Sequence, residues 1–293
     1  MEALILTSGH PSLSRNIEDY PEGIIIPIDK PYRWTSADVI RKVKYAAIRH
    51  FGKKNLKVGH AGTLDPLATG VLLVCIGKAT KLAEELQSHD KEYIAGITFG
   101  ATTPSYDLEK DIDRFFPHEH ITAEAVSASL PAFIGEQDQV APLFSAKSVD
   151  GVRAYELARK LHAEGKTLDE AAQEMIRVAK INISELEIKE FACGTSSPAT
   201  ASLRHDTIVS ESNRNNASNR INVTDNSGLG LPRAVVRMAC SKGTYVRAFA
   251  RDLGEALGSG AHLDSLQRSR SGIFRVENAL TVEQVIKLLQ HNQ

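Results

Sequence analysis

The sequence contains few cysteines, and they do not form pairs. Cys75, Cys193 and Cys240 are the three in 293 residues, and no two have the short spacing of a metal-binding or redox pair. This pattern excludes a disulfide-stabilised scaffold and a zinc ribbon, and it suits a reducing compartment. The apolar segment at 4–6 is too short for a secretory signal, and no apolar run approaches membrane-spanning length. We therefore expect a cytoplasmic protein.

An excess of charge of either sign is also missing. The 35 Lys and Arg residues balance 36 Asp and Glu residues, which gives a net charge of -1. The overall charge therefore neither favours nor excludes a nucleic-acid partner, and only local clusters can decide. The 42% hydrophobic content is sufficient for a core, and the length allows one large domain or two moderate ones.

Sequence motifs for several common chemistries are absent. The ten histidines form no pattern suited to a metal ion, and no dinucleotide fingerprint occurs. The glycines at 59 and 62 lack the Gly-Lys-Ser/Thr ending of a phosphate-binding loop. What remains is an aspartate in a glycine-rich loop, several basic segments and a few tyrosines beside polar turns.

The aspartate belongs to the stretch Gly-His-Ala-Gly-Thr-Leu-Asp-Pro at 59–66, which leads into a continuous apolar run. Glycine permits backbone angles that other residues resist, and Pro66 disfavours the helical conformation of Asp65. Asp65 is therefore expected on a stiff, extended loop that enters a buried strand. A short carboxylate held in this way suits catalysis, although a turn aspartate that caps its own loop backbone has the same pattern.

Apolar periodicity predicts most of the regular elements. Alternating or continuous apolar residues predict strands at 23–28, 70–77, 91–100, 140–149, 181–188 and 234–240. Helical spacing and capping residues predict helices at 35–51, 78–86, 122–133, 155–162, 168–176, around 249–257 and at 281–290. Residues 1–22 show no period and predict a loosely held N-terminal arm. Residues 192–232 are rich in Ser, Asn and Thr, which predicts a mobile insertion between two paired strands.

Two segments concentrate positive charge. Residues 41–57 contain seven Lys and Arg residues and no acidic residue, and Arg153, Arg159 and Lys160 lie close together further on. A solvated surface is the common role of such charges. The position of the first segment directly before the Asp65 loop favours contacts with RNA phosphates instead.

Three residues outside the loop are candidates for contacts with a base. Tyr93 begins a predicted strand, and Tyr245 and Arg247 share one side of the chain if their segment is extended. An aromatic ring and a cation on one side suit stacking on a base and pairing with a carboxylate. Alternatively, both tyrosines are half-buried core residues with their hydroxyl groups at the surface.

Taken together, these motifs resemble the TruB family of pseudouridine synthases. The loop at 59–70 is similar to the signature of that family. Four further blocks match in the same order: Asp-Lys-Pro at 29–31, Lys-x-Tyr at 91–93, Ser-Lys-Gly-Thr-Tyr-Val-Arg at 241–247, and Gly-Ala-His-Leu at 260–263 with Leu266 and Arg268. The resemblance extends from about 23 to 289, and the insertion at 192–232 has no counterpart in it.

The resemblance implies a fold and an activity. It implies a mixed α/β (α+β) catalytic domain over 23–291, with a mainly antiparallel central sheet flanked by helices. It also implies isomerisation of one uridine to pseudouridine in the T-stem-loop of tRNA, at tRNA position 55, without metal or cofactor. A complete C-terminal RNA-binding module is not expected. Leu-Ala-Thr at 67–69 favours the stand-alone bacterial type, a monomer with no obligate protein partner and no membrane contact.

The resemblance also assigns roles to single residues. Asp65 matches the catalytic aspartate, and Arg247 matches an arginine beside it. The matches to substrate-binding residues, among which Tyr93 stacks on the target base, are His60, Tyr93, Tyr245, Arg247, Lys30 and Leu266. Two alternatives stay open from the sequence. The chain could be an RNA-folding module whose catalytic loop is incidental, or the catalytic subunit of a guide-RNA particle.

Overall fold

The structure is a computed structural model that describes residues 2–7, 9, 13–142, 148–149, 152–153, 178–194, 221 and 223–290. Within these ranges the α-helices are α1 (Ser36–Phe51), α2 (Ala83–Ser88), α3 (Ala123–Ser129), α4 (Val246–Ala256) and α5 (Val282–Gln290). None of the described helices has the length and apolar character needed to cross a membrane. The helices expected at 155–162 and 168–176 lie outside the described residues.

The main β-structure is one large mixed sheet. The strands in chain order are β1 (Leu4–Ile5), β2 (Ile24–Lys30), β3 (Val58–Ala61), β4 (Ala68–Ile76), β5 (Lys91–Phe99), β6 (Ala101–Thr102), β7 (Arg114–Phe115), β8 (Gly135–Val140), β9 (Ser148–Val149), β10 (Val152–Arg153), β11 (Val178–Ala192), β12 (Arg233–Cys240), β13 (Ala261–Ser271) and β14 (Phe274–Arg275). The sheet has the order β1-β2-β4-β13-β5-β12-β11-β8. In addition, β3 pairs with β4, and β14 pairs with β13. The pairs β1–β2 and β4–β13 are parallel, whereas β2–β4, β3–β4, β8–β11 and β11–β12 are antiparallel. The expected mixed, mainly antiparallel fold is confirmed.

The chain divides into two compact units. Unit 1 comprises Met1–Ile94, Ile208–Ile221 and Leu266–Gln293, and unit 2 comprises Ala95–Thr207 and Asn222–Ser265. The catalytic domain expected over 23–291 has residues in both units, and as a single domain it stays a prediction.

Unit 1 is built around β2 and β4, which pair over their whole lengths in antiparallel register. Both strands are almost entirely buried because their apolar runs face the core on both sides. Helix α1 begins with the predicted capping box, in which the Thr35 and Asp38 side chains each accept from the other's backbone N–H, and it ends at Gly52 in the left-handed conformation. The buried side of α1 packs against α5.

The N-terminal arm of unit 1 differs from its prediction as a loosely held segment. Strand β1 pairs in parallel with the start of β2, and the side chains of Leu6, Leu13 and Ile17 are buried. Buried His50 on α1 faces the carbonyl oxygens of Ser14 at 3.0 Å and Leu289 at 2.9 Å. A few apolar side chains and one buried imidazole therefore hold a segment whose composition lacks any period.

Unit 2 contains the pairs β11–β12 and β11–β8. Strand β11 pairs with β12 up to Ala192, so the connection at 192–232 does join two paired strands, as expected. Residues 195–220 and 222 of this connection lie outside the described residues. Its end is described: Thr224 donates from its N–H to the carbonyl of Leu108 at 2.9 Å and from its hydroxyl to Asp111 at 2.7 Å.

Candidate active site

Asp65 lies in the short loop between β3 and β4 of unit 1, where the sequence predicted it. Gly62 and Gly70 flank the loop with positive φ angles of 90° and 97°, a region that favours glycine. The carbonyl of Asp65 accepts from the N–H of Ala68 at 3.1 Å, which closes a turn at the start of β4. The Asp65 side chain is half-buried. The carboxylate is therefore presented at the rim of the core on a constrained backbone.

Lys30 holds the loop on the C-terminal side of Asp65. It is the last residue of β2 and is fully buried, and its Nζ donates to the carbonyls of Pro66 at 3.1 Å, Trp34 at 2.6 Å and Pro31 at 3.0 Å. Burial lowers the pKa of Lys30 to about 7, and the nearby carboxylate of Asp65 opposes that shift. Lys30 is thus a structural support of the loop as well as a neighbour of the carboxylate.

Arg268 holds the loop on the N-terminal side of Asp65. It lies in β13 with 2% of its surface exposed, and it donates from Nε to the carbonyl of Val71 at 2.7 Å and from Nη1 to that of Thr63 at 3.3 Å. Its Nη2 is buried and has no hydrogen-bond partner among the described residues. The backbones of β4 and β13 come very close at Gly70, since a Cβ there would lie 2.3 Å from the carbonyl oxygen of Arg268. Only glycine fits at this position.

Ser36, the first residue of α1, holds the residue directly before Asp65. Its buried Oγ accepts from the N–H of Leu64 at 3.0 Å and lies 3.3 Å from the carbonyl oxygen of Leu64, to which it donates. Buried side chains therefore bond to the backbone of Thr63, Leu64 and Pro66, the residues on both sides of Asp65. Such bonding fixes the backbone of a catalytic group before substrate binds.

His60 lies in β3, opposite Val74 of β4, and is half-buried. Burial lowers the pKa of His60, opposed by a hydrogen bond to the backbone of Gly62, so the imidazole is neutral at pH 7. Its Nδ1 is buried without a hydrogen-bond partner among the described residues. The structure thus places His60 beside the loop as a neutral ring.

Tyr93 and Leu266 complete the predicted residues of unit 1. Tyr93 is the third residue of β5 and is 8% exposed. Leu266 pairs with Ala68, the first residue of β4, and its carbonyl accepts from the hydroxyl of Thr69 at 3.5 Å. Leu266 therefore lies next to the strand that carries the Asp65 loop.

Tyr245 and Arg247 belong to unit 2, and their backbone differs from the extended segment considered from the sequence. Tyr245 is the N-cap of α4, and Arg247 lies in the first turn of that helix. The two side chains are therefore not placed on one side of a strand. Gln139 fixes the position of Tyr245, since its amide group accepts from the backbone N–H at 2.8 Å and donates to the carbonyl at 3.1 Å.

Arg247 is buried within unit 2 and is oriented by a polar loop. Its Nη1 donates to the carbonyl of Ser105 at 3.0 Å, and its Nε lies 3.8 Å from a carboxylate oxygen of Asp107. Asp107 also accepts from the Ser105 hydroxyl at 2.6 Å and from the N–H of Glu109 at 3.0 Å. The guanidinium therefore has a defined direction set by several bonds.

Sequence reasoning missed three of the residues that position the site. Ser36 follows the predicted N-cap and had no separate signal. Arg268 was matched to the family without a role, and no strand was predicted around it, so nothing in the sequence indicated its burial. Asp107 lies among turn-forming residues, whose pattern indicates a loop but not an ion pair. No group of three or more side chains suited to holding a metal ion occurs in the described ranges.

A mixed sheet that carries a preorganised aspartate loop of this sequence defines a class, the pseudouridylate synthases, and comparison with known families agrees. Residues 49–197 match the N-terminal domain of the TruB family of pseudouridylate synthases, and residues 247–293 match the C-terminal domain of tRNA pseudouridylate synthase B. The chain belongs to the TruB family.

Similar proteins named tRNA pseudouridine synthase B cover most of the chain. The protein from Phocaeicola vulgatus is 46% identical over 90% of this chain and 92% of its own length. The protein from Bacteroides thetaiotaomicron is 44% identical over the same shares, and that from Chloroherpeton thalassium is 33% identical over 91% of this chain and 90% of its own length.

Solved structures with a similar fold come from larger chains. A chain of a Cbf5-Nop10-Gar1 complex has a TM-score of 0.57 at 23% identity, with 98% of this chain and 63% of that chain covered. A chain of an H/ACA RNP bound to a substrate RNA has a TM-score of 0.54 at 20% identity, with 96% and 59% covered. At these identities the similarity concerns the fold alone.

Proposed function

We propose that this protein converts one uridine of the tRNA T-stem-loop, at tRNA position 55, to pseudouridine. The family and the names of the similar proteins support this reaction. The observation that carries the proposal is the loop of Asp65, which buried donors hold on both sides: Arg268 at Thr63 and Lys30 at Pro66. A carboxylate positioned so firmly suits a reaction at a single sugar carbon.

The reaction needs the base to leave the folded RNA. Unstacking a nucleotide costs a few kcal/mol, and stacking on an aromatic ring recovers part of that. Tyr93 supplies this ring in the proposal, and His60 and Tyr245 contact the displaced nucleotides. The bond from the sugar to N1 then breaks, the base turns, and a bond from the sugar to C5 forms. The proton of C5 leaves, and N1 gains one, so the product is an isomer of the substrate.

Asp65 acts as a carboxylate in the proposal. A negative charge enclosed by substrate needs a nearby cation. Arg247 has this role in the proposal, with Asp107 and Ser105 holding its guanidinium. Leu266 and the buried start of β4 form an apolar wall that keeps water from the detached base.

The proposed enzyme acts alone, as a cytoplasmic monomer without metal, cofactor or protein partner. The test is to incubate the purified chain with an unmodified tRNA transcript in the presence of EDTA and to map pseudouridine along the RNA. We expect one modified site, at position 55, and none in a matched transcript with cytidine there. Absence of product, or product only after another protein is added, contradicts the proposal.

A further inference from the structure

Helix α1 presents a charged surface that the active site does not use. Its exposed charged and aromatic side chains, which we call the basic face of α1, are Arg41, Lys42, Lys44, Tyr45 and Arg49. At 100° per residue they fall within an arc of roughly 160° around the helix, with Tyr45 near the centre. The one acidic residue of the helix, Asp38, is buried in the capping box and bonded to Arg41 at 2.8 Å.

Three of the four cations of this face are not neutralised by the described part of the protein. Lys42, Lys44 and Arg49 have no carboxylate partner among the residues that the structure describes. Clustered like charges on a helix destabilise it slightly, so folding alone does not favour this arrangement. The whole chain has a net charge of only -1. The excess of positive charge on this face is therefore local and does not reflect the overall composition. An anionic partner would remove the repulsion.

The aromatic ring in the centre identifies the kind of anion. Tyr45 is 65% exposed, and the guanidinium carbon of Arg49 lies 5.6 Å from its ring centroid while Nη1 donates to its hydroxyl at 3.3 Å. Most of the Tyr45 ring therefore faces solvent, where it is accessible to a flat partner. Cations that contact phosphates and an aromatic ring that stacks on a base or sugar together form a nucleic-acid surface. An acidic protein surface would pair with the cations, whereas a nucleic acid supplies both phosphates for the cations and bases for the ring.

The basic face is fixed relative to the catalytic loop because both belong to unit 1. Ser36 at the start of α1 is bonded to Leu64, next to Asp65. With a rise of 1.5 Å per residue, the face begins about 8 Å and ends about 20 Å along the helix from Ser36. A folded RNA with one nucleotide at Asp65 has further backbone at such distances.

We propose that the basic face of α1 binds the phosphate backbone of the tRNA whose uridine enters the site, close to the displaced nucleotide. This inference rests on the proposed function for the identity of the RNA. The cations neutralise phosphates, and Tyr45 stacks on an exposed base or sugar of the same RNA.

The test compares tRNA binding by two matched double variants of the full chain over a series of salt concentrations. Lys42→Glu/Arg49→Glu reverses two charges on the basic face. Arg275→Glu/Lys287→Glu makes the same change of charge at exposed positions on β14 and α5. We expect the first variant to bind unmodified tRNA at least roughly tenfold more weakly and its plot of log affinity against log salt to be flatter by about 1 to 2. The control is expected to stay within about twofold of wild type.

A third variant separates stacking from charge. Tyr45→Ala is expected to weaken tRNA binding several-fold with an unchanged salt slope, because stacking releases no counterions, and Tyr45→Phe is expected to restore affinity. Equal losses in both double variants would overturn the proposal, since net charge alone would then explain them. Wild-type affinity and slope for Lys42→Glu/Arg49→Glu would also overturn it. Normal tRNA binding by a wild-type chain that forms no pseudouridine would instead contradict the proposed function and leave the surface in place.

Discussion

The ammonium group of Lys30 lies 3.1 Å from the carbonyl oxygen of Pro66, the residue directly after Asp65. The same group also bonds to the carbonyls of Pro31 and Trp34, so it joins the end of β2, the start of α1 and the catalytic loop. A buried lysine is unfavourable in itself, because its charge is removed from water. The buried Lys30 therefore lowers the stability of the folded protein at the same place where it fixes the position of Asp65.

The lowered pKa of Lys30 predicts how stability depends on pH. Burial brings this pKa from an ordinary value of 10.5 to about 7, so between pH 7 and 10 the unfolded chain binds more protons than the folded one. The free energy of unfolding therefore rises with pH in that window, by at most about 1.4 kcal/mol per pH unit. Relative to Lys30→Met, which cannot titrate, wild type is expected to gain about 2 kcal/mol from pH 7 to pH 9 in urea unfolding. A constant difference between the two proteins would contradict the shift.

Ser36→Ala is expected to loosen the catalytic loop. The substitution leaves the buried N–H and carbonyl of Leu64 without their partner, which costs about 1–3 kcal/mol, and we expect kcat to fall roughly tenfold because Asp65 is less well positioned. Ser36→Thr keeps a hydroxyl and is expected to restore most of both. Ser271→Ala is the matched control, since its buried Oγ has no hydrogen-bond partner among the described residues. A similar loss in the control would reject the role of Ser36.

Gly70→Ala is expected to prevent normal folding. A Cβ at Gly70 would lie 2.3 Å from the carbonyl oxygen of Arg268, and φ is already positive, so β4 and β13 would have to separate. Gly52→Ala is the control, because Gly52 also has a positive φ but no atom within 4 Å of its Cβ position. We expect the control to lose only about 1–2 kcal/mol. Thermal unfolding of both variants measures the difference, and equal stability of the two would contradict the close approach.

Asp107→Asn tests whether the direction of the Arg247 guanidinium matters. The amide keeps the shape of the side chain but removes the charge 3.8 Å from Nε, so we expect kcat to fall roughly tenfold with little change in tRNA affinity. Asp111→Asn, in the same loop, is the control, since Asp111 bonds to Thr224. Equal kcat values for the two variants would show that the Asp107–Arg247 contact is not needed.

The sequence predicted the elements that depend on local chemistry. The capping box of Thr35 and Asp38 places the start of α1 correctly, because both partners lie within four residues of each other. The apolar run after Pro66 forms β4, since its length and continuity fit a buried strand. The mixed sheet was expected from the family resemblance rather than from the pattern of residues.

Other features depended on contacts between distant residues. Tyr245-Val246-Arg247 has the composition of a strand, but the first turn of α4 includes Arg247, where Ser105 accepts from it. The apolar residues of the N-terminal arm are too few to show a period, yet Leu6 and Leu13 are buried. The support of Thr63 by Arg268 joins positions 205 residues apart, a pairing that no spacing in one sequence reveals.

The most direct test of the central claim is pseudouridine formation by Asp65→Asn, measured at saturating tRNA beside wild type. The amide retains the size of the side chain and cannot carry the negative charge. We predict that the variant forms no pseudouridine at tRNA position 55. Its tRNA affinity is expected to stay within a few fold of wild type, and its free energy of unfolding within about 1 kcal/mol. Turnover by the variant at a rate near that of wild type would contradict the account.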